Sequence, residues 1–207
     1  MTTKVKICGL TNERDACFAA DCGADYAGFV LYEKSPRHVP PIRLAALTRA
    51  LPATTVKVGV FVNASSEFVR DALENGGLDI AQLHGDESAE FAEMLGTDRV
   101  WKAFGLTCEV DVERACAFPA AAVLVDAVTV SERGGTGRRA DWVLAAALAV
   151  RRPTVLAGGL RPENVAEAID TVHPFAVDVS SGVEASKGQK DLERVRQFIA
   201  AAHADES

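Results

Sequence analysis

Lys4-Val5-Lys6-Ile7-Cys8-Gly9-Leu10-Thr11-Asn12 carries a short β-forming segment into a cysteine, a glycine and a helix-capping residue. In a parallel α/β architecture, residues at the carboxyl ends of strands face the ligand, and a following glycine lets the backbone turn sharply. Cys8 occupies that junction. Near the N-terminus of a helix opened by Asn12, its thiol is a candidate base or nucleophile, because the helix dipole and unpaired N–H groups favour a thiolate. The plainer alternative is a small buried core residue, the usual state of a lone cysteine.

Working outward from this stretch, short β-branched runs alternate with amphipathic segments along the whole chain, the pattern of repeated βα units. Strands are expected at 5–8, 26–31, 56–61, 80–83, 100–103, 122–126, 154–157 and 176–179. Helices are expected at 12–22, 41–51, 66–75, 87–95, 109–117, 141–150, 162–171 and 191–202. Eight such units in 207 residues predict a single-domain (β/α)8 barrel over residues 1–203, with a polar tail at 204–207. The structural rival, a doubly wound open sheet, lacks support because Cys-Gly-Leu-Thr-Asn stands where a glycine-rich dinucleotide fingerprint would follow the first strand.

Composition narrows the function. The formal net charge of −7 argues against nucleic acid or an anionic membrane surface as partner. An anionic small molecule remains open, given local arginines or helix N-termini. No apolar stretch approaches a bilayer-spanning length and no signal-peptide core follows Met1, so a cytoplasmic protein is expected. Five cysteines, Cys8, Cys17, Cys22, Cys108 and Cys116, contain no C-x-x-C pair and suit neither a disulfide framework nor a zinc site.

Strand alternation sorts the side chains by face. Lys6 and Cys8 share a face in strand one, as do Gln82 and His84, Leu124 and Asp126, and Asp178 and Ser180 in theirs. The intervening Val5, Ile7, Leu83, Val125, Val177 and Val179 suit a face packed under helices. Polar groups gathered inside a barrel cost free energy unless paired, so a ligand site is the economical explanation.

Asp126 ends the run Ala-Val-Leu-Val-Asp and precedes a loop at 127–139. Partial screening from water would raise its pKa and suit a general acid, while pairing with a buried lysine such as Lys6, or capping the loop, is the structural alternative. That loop carries Gly134-Gly135-Thr136-Gly137, a candidate lid and equally a plain exposed turn. Gly158-Gly159 after strand seven and Ser180-Ser181-Gly182 after strand eight stand where barrel enzymes bind phosphate. Arg37, in the loop after strand two, offers a planar fork for a carboxylate, or is a solvated surface arginine. His84 and His38 lack a partner at a recognised metal spacing, so no metal site is expected.

Taken in order, Lys6-Ile7-Cys8-Gly9-Leu10-Thr11, Gly28-Phe29-Val30 with Ser35-Pro36-Arg37, Val58-Gly59-Val60-Phe61-Val62-Asn63, Gln82-Leu83-His84-Gly85, Gly134-Gly135-Thr136-Gly137 with Asp141-Trp142, Ala157-Gly158-Gly159-Leu160, Pro162-Glu163-Asn164-Val165 and Asp178-Val179-Ser180-Ser181-Gly182-Val183-Glu184 resemble the phosphoribosylanthranilate isomerase family of tryptophan biosynthesis. The resemblance spans nearly the whole chain. It implies a cofactor-free (β/α)8 barrel that performs an Amadori rearrangement on a small phosphoribosyl substrate. It further implies Cys8 as general base, Asp126 as general acid and Arg37 at the anthranilate carboxylate. Phosphate would sit at Gly158, Gly159, Ser180, Ser181 and Gly182, with Asp178 and His84 as further substrate contacts. Ala140 and Arg138 depart from the phenylalanine and lysine common in the family, which bears on lid packing. A stand-alone monomer is expected. The rivals are a phosphosugar barrel with a Schiff-base lysine, Lys57 or Lys102, and a barrel that binds a phosphorylated ligand without turning it over.

Overall fold

The computed structural model describes residues 2–127 and 140–204. Eight strands, β1 (Lys4–Ile7), β2 (Tyr26–Val30), β3 (Val56–Phe61), β4 (Ile80–Leu83), β5 (Val100–Gly105), β6 (Ala122–Asp126), β7 (Thr154–Leu156) and β8 (Ala176–Val179), close in sequence order into one parallel barrel. The open-sheet alternative is excluded by the pairing of β1 with β8. Helices α1 (Glu13–Asp21), α2 (Pro41–Arg49), α3 (Ser66–Glu74), α4 (Ala89–Leu95), α5 (Glu109–Ala117), α6 (Trp142–Ala149), α7 (Val165–Val172) and α8 (Leu192–Ala202) follow the successive strands. None of the described helices is long and apolar enough to cross a membrane.

Two apolar layers result from strand alternation. Val5, Ile7, Leu83, Val125, Val177 and Val179 face outward into the core shared with the helices. Tyr26, Val58, Trp101, Ala122, Leu124, Val155 and Ala176 fill the barrel itself, with Tyr26 and Trp101 in edge-to-face contact. The apolar filling plugs the barrel's lower part, so the polar residues of the same inward face collect toward the carboxyl ends of the strands.

Local signals fix most element starts. Asn12, Ser65, Ser88, Asp141 and Asp191 each accept a backbone N–H of the first helical turn. Two helices begin later than periodicity suggests. The carboxylate of Glu87 receives the N–H groups of Asn63 and Gly85, so α4 starts after Ser88. Pro162 to Asn164 form a turn in which Asn164 accepts from the Arg161 N–H, and α7 starts at Val165.

A hairpin of β9 (Glu184–Ser186) and β10 (Gln189–Lys190), turning at Gly188 with φ of +80°, has no counterpart among the expected elements. It is too short to show alternation. Thr11 donates to the Gly188 carbonyl and the Lys190 N–H donates to Asp15, which ties the hairpin to the loop that follows Cys8. The candidate lid residues Gly134, Gly135, Thr136 and Gly137, together with Arg138, lie outside the described residues.

Candidate active site

Because all eight strands run parallel, their carboxyl ends open on one rim. Cys8, His84, Asp126, Asp178 and Ser180 stand at the ends of β1, β4, β6 and β8 on that rim. Arg37, Gly158, Gly159, Ser181 and Gly182 join them from the loops after β2, β7 and β8.

The β1/β8 side is charged. Parallel register sets Lys6 opposite Asp178, and the Lys6 ammonium, with none of its side chain exposed, donates to Asp178 Oδ1 at 2.9 Å. Lys6 therefore pairs with Asp178, and not with Asp126. Cys8 is buried on the same face two residues on. Gly28 of β2 makes room for both: a side chain there would have its first carbon 2.9 Å from Cys8 Sγ and 3.1 Å from Lys6 Nζ. Burial pushes the Cys8 thiol up from its ordinary range, the Lys6 charge is the largest influence pulling it down, and the Asp178 charge adds to the rise.

The hairpin completes this side. Glu184 holds Arg37 in a two-pronged pair, Nε and Nη2 each at 2.7 Å. The same carboxylate receives the buried Lys190 ammonium at 3.3 Å, and Lys190 also donates to the Ser180 carbonyl at 3.0 Å. Burial opposes the Glu184 charge, but Arg37 and Lys190 outweigh it and hold the carboxyl below its usual range. The Arg37 stem crosses Gly9, where a side-chain carbon would meet Arg37 Cδ at 2.6 Å, so Gly9 clears the way to the rim.

The opposite side is a hydrogen-bonded line in which, among the described residues, no lysine or arginine pairs with Asp126. Gln82, almost fully buried on β4, lies 3.0 Å from His84 Nδ1, and His84 Nε2 lies 3.3 Å from Asp126 Oδ2. Asp126 Oδ1 accepts the Ala127 N–H at 2.8 Å. On β5, between them, Gly105 is the register partner of Asp126.

Between the two sides lies a cradle built by glycines. Gly158 and Gly159 have φ of +79° and +71°, the left-handed region that side chains disfavour. A side chain at Gly158 would strike the Ala127 nitrogen at 2.6 Å, and one at Gly182 the Leu160 carbonyl at 2.0 Å, so the loops after β6, β7 and β8 touch only because these residues are glycine. Ala140 packs beside Gly158, the two lying at the same crossing. The Ser180 hydroxyl is buried beside Gly9, with no protein partner among the described residues.

Sequence reasoning placed Cys8, Asp126, Arg37, His84 and Asp178 on the rim but missed Glu184, Lys190 and Gln82 as their partners. Alternation had put Gln82 on the inward face, and that was the available signal. Nothing local announces Lys190, whose place depends on a hairpin docked onto α1. Lys57 and Lys102 occupy outward positions: Lys57 lies 3.9 Å from Asp79, and Lys102 is spent on the Leu83 and Gly85 carbonyls and on Glu87.

A closed parallel barrel with its titratable groups and an anion-sized cradle on the carboxyl rim is the architecture of the (β/α)8-barrel enzymes, the class to which fold and rim assign this chain. Within that class, the family model for N-(5'-phosphoribosyl)anthranilate (PRA) isomerase matches residues 5–201, so the chain belongs to the N-(5'-phosphoribosyl)anthranilate isomerase family. The isomerase of Citrifermentans bemidjiense is 47% identical over 200 residues, covering 97% of each chain. That of Thermotoga neapolitana is 48% identical over 198 residues, covering 95% of this chain and 96% of its own. The crystal structure of the Thermotoga maritima enzyme superposes with a TM-score of 0.91 at 42% identity, covering 98% of this chain and all of the other. A further isomerase structure, solved with reduced 1-(o-carboxyphenylamino)-1-deoxyribulose 5-phosphate, superposes with a TM-score of 0.87 at 41% identity.

Proposed function

We propose that this chain converts N-(5'-phosphoribosyl)anthranilate into 1-(2-carboxyphenylamino)-1-deoxyribulose 5-phosphate, in tryptophan biosynthesis, with Asp126 as general acid and Cys8 as general base. The observation that carries this reading is the presence of both groups at strand ends on one rim, on either side of the glycine cradle. The reaction needs a proton delivered to the furanose ring oxygen and another removed from C2', and positioned side chains supply both.

The steps balance. Asp126 protonates the ring oxygen as the C1'–O bond breaks and the amine lone pair forms C1'=N, which leaves a hydroxyl, an Asp126 carboxylate and a protonated substrate imine whose C=N pair returns to nitrogen in the next step. The Cys8 thiolate takes the C2' proton, and that C–H electron pair becomes the C1'–C2' double bond of an enolamine. The enolamine then tautomerises to the ketone, with C1' gaining a proton and the C2' hydroxyl losing one. His84 steadies Asp126, and the Ser180 hydroxyl, with the turns at Gly158, Gly159, Ser181 and Gly182, receives the phosphate. Arg37, already oriented by Glu184, meets the anthranilate carboxylate, and Asp178 serves the anthranilate amine from beside Lys6.

Two observations weigh against a Schiff-base mechanism at Lys57, Lys102 or Lys6. Lys57 and Lys102 lie outside the barrel on the outward-facing positions. Lys6 does line the barrel, but although burial pulls its pKa down, Asp178 and Cys8 more than restore it and keep the amine charged. A charged amine is a poor imine former.

Both halves of the site come from one chain, so the single chain is proposed as the working unit, acting in the cytoplasm without a cofactor. Sedimentation at assay concentration checks the first point. The decisive assay generates phosphoribosylanthranilate in place and follows loss of its fluorescence with the wild type, Cys8→Ala and Asp126→Asn. Borohydride should trap no substrate on the protein. Turnover near the wild-type rate in both variants would refute the assignments.

A further inference from the structure

We propose that Lys6 is a positioning residue that holds the Cys8 thiolate as its counter-ion, an inference that rests on the reading of Cys8 as general base. A fully buried lysine calls for an explanation. Buried ion pairs are often replaceable by apolar residues of similar volume without loss of stability, so its pairing with Asp178 does not by itself account for Lys6 inside a barrel. What does account for it is the second neighbour. Lys6 and Cys8 project from the same face of one strand, and a single point above Gly28 lies 3.1 Å from the ammonium nitrogen and 2.9 Å from the sulfur. A side chain at Gly28 would intrude on both groups, so the glycine keeps clear the space they share.

The charges around the thiol lead to the same conclusion. Among the described residues, the charged groups that act on Cys8 are Lys6 on β1, Asp178 on β8, Arg37 in the loop after β2 and Lys190 on the hairpin, the last two paired with Glu184. Within this set of described residues, the cations Lys6, Arg37 and Lys190 outnumber the carboxylates Asp178 and Glu184 by one. A Cys8 thiolate makes this buried cluster neutral, whereas a thiol leaves it with one uncompensated positive charge. Glu184 serves Arg37 and Lys190 together, so those cations are largely spoken for. Asp178 is the only carboxylate among the described residues that Lys6 contacts, which leaves Lys6 as the cation shared between a carboxylate and the sulfur.

In the reaction this gives Lys6 a defined task without a transferred proton. When Cys8 takes the C2' proton, an S–H bond forms and the negative charge leaves the sulfur, while Lys6 keeps its proton and stays paired with Asp178. Its contribution is to make the thiolate accessible in a site where burial alone would keep the thiol protonated.

The test reads the thiol directly. Iodoacetamide alkylation of Cys8, followed by peptide mass spectrometry across a pH series, gives a midpoint that reports the thiolate and is independent of how easily the reagent enters. Lys6→Met is expected to move that midpoint upward and to slow alkylation at pH 7 about tenfold. Asp178→Asn is expected to move it downward, because it removes the anion that competes for Lys6. The double variant Lys6→Met/Asp178→Leu leaves no unpaired buried carboxylate, guards against misfolding of the single variant, and should still titrate above the wild type. Wild-type midpoints in both Lys6→Met and the double variant would overturn the proposal. Turnover measured on the same samples separates the two readings: a raised midpoint with unchanged kcat would leave Lys6 as the counter-ion and remove Cys8 as the base.

Discussion

The two sides of the rim solve opposite problems with opposite materials. Around Cys8, Lys6, Asp178, Arg37, Glu184 and Lys190 form a crowded ionic cluster, most of it buried. Around Asp126, a neutral amide and an imidazole form a line, Gln82 to His84 to the carboxyl, with one backbone N–H at the far oxygen. A base must bear negative charge, so cations next to it help. The proposed acid, Asp126, has instead an imidazole nitrogen at one oxygen and a backbone N–H at the other. Two titratable groups with different surroundings can thus take opposite roles on one rim.

The comparison breaks first if the roles are wrong. Cys8→Ala and Asp126→Asn should each cut kcat by about 10²–10⁴-fold with an unchanged far-UV spectrum, measured by the fluorescence-decay assay. It is sharpened next on the neutral side. His84→Ala should lower kcat by about tenfold or more, and Gln82→Leu by less, because Gln82 acts only through the ring. Ring-nitrogen chemical shifts of His84 should show Nδ1 as an acceptor in the wild type and a mixed state in Gln82→Leu. An unchanged kcat in His84→Ala would show that Asp126 needs no such partner.

The ionic side offers a KM effect. Arg37→Ala should raise KM by about tenfold or more with a smaller change in kcat, and Glu184→Gln should raise it less, since it loosens the fork without deleting it. An unchanged KM in Arg37→Ala would remove the carboxylate contact. The smallest effect concerns stability. Burial raises the Cys8 thiol's pKa, so the folded chain holds this proton more tightly than the unfolded one. That contribution is complete below the ordinary thiol range and is lost as pH rises through it, from roughly 8.5 upward. Denaturant unfolding of the wild type should therefore weaken faster with alkaline pH than that of Cys8→Ala.

Much of this was legible before any coordinates. Periodicity of two and near 3.6 located eight strands and eight helices, with β3, β4, β6 and β8 matching to the residue, because a strand buried on both faces must be apolar throughout except where it lines a site. The same alternation put Lys6, Cys8, Gln82, His84, Asp126 and Asp178 on the inward face. It failed at the hairpin holding Glu184 and Lys190, where three-residue and two-residue strands are too short to carry a pattern. It also left the partner of Lys6 open, with Asp126 as one alternative, since inward direction alone does not say which strand closes the ring.

The sequence by itself determined the repeating unit, the face on which each polar side chain stands and the end of each strand where chemistry collects, since all of these follow from spacing along one chain. Only the tertiary structure decided the partners. Closure of β1 against β8 joined Lys6 to Asp178, the curvature of the barrel set His84 at the end of β4 beside Asp126 at the end of β6, and a docked hairpin brought Glu184 to Arg37. Electrostatic and hydrogen-bond energies depend on distances between groups far apart in sequence, and those distances exist only once the barrel has closed.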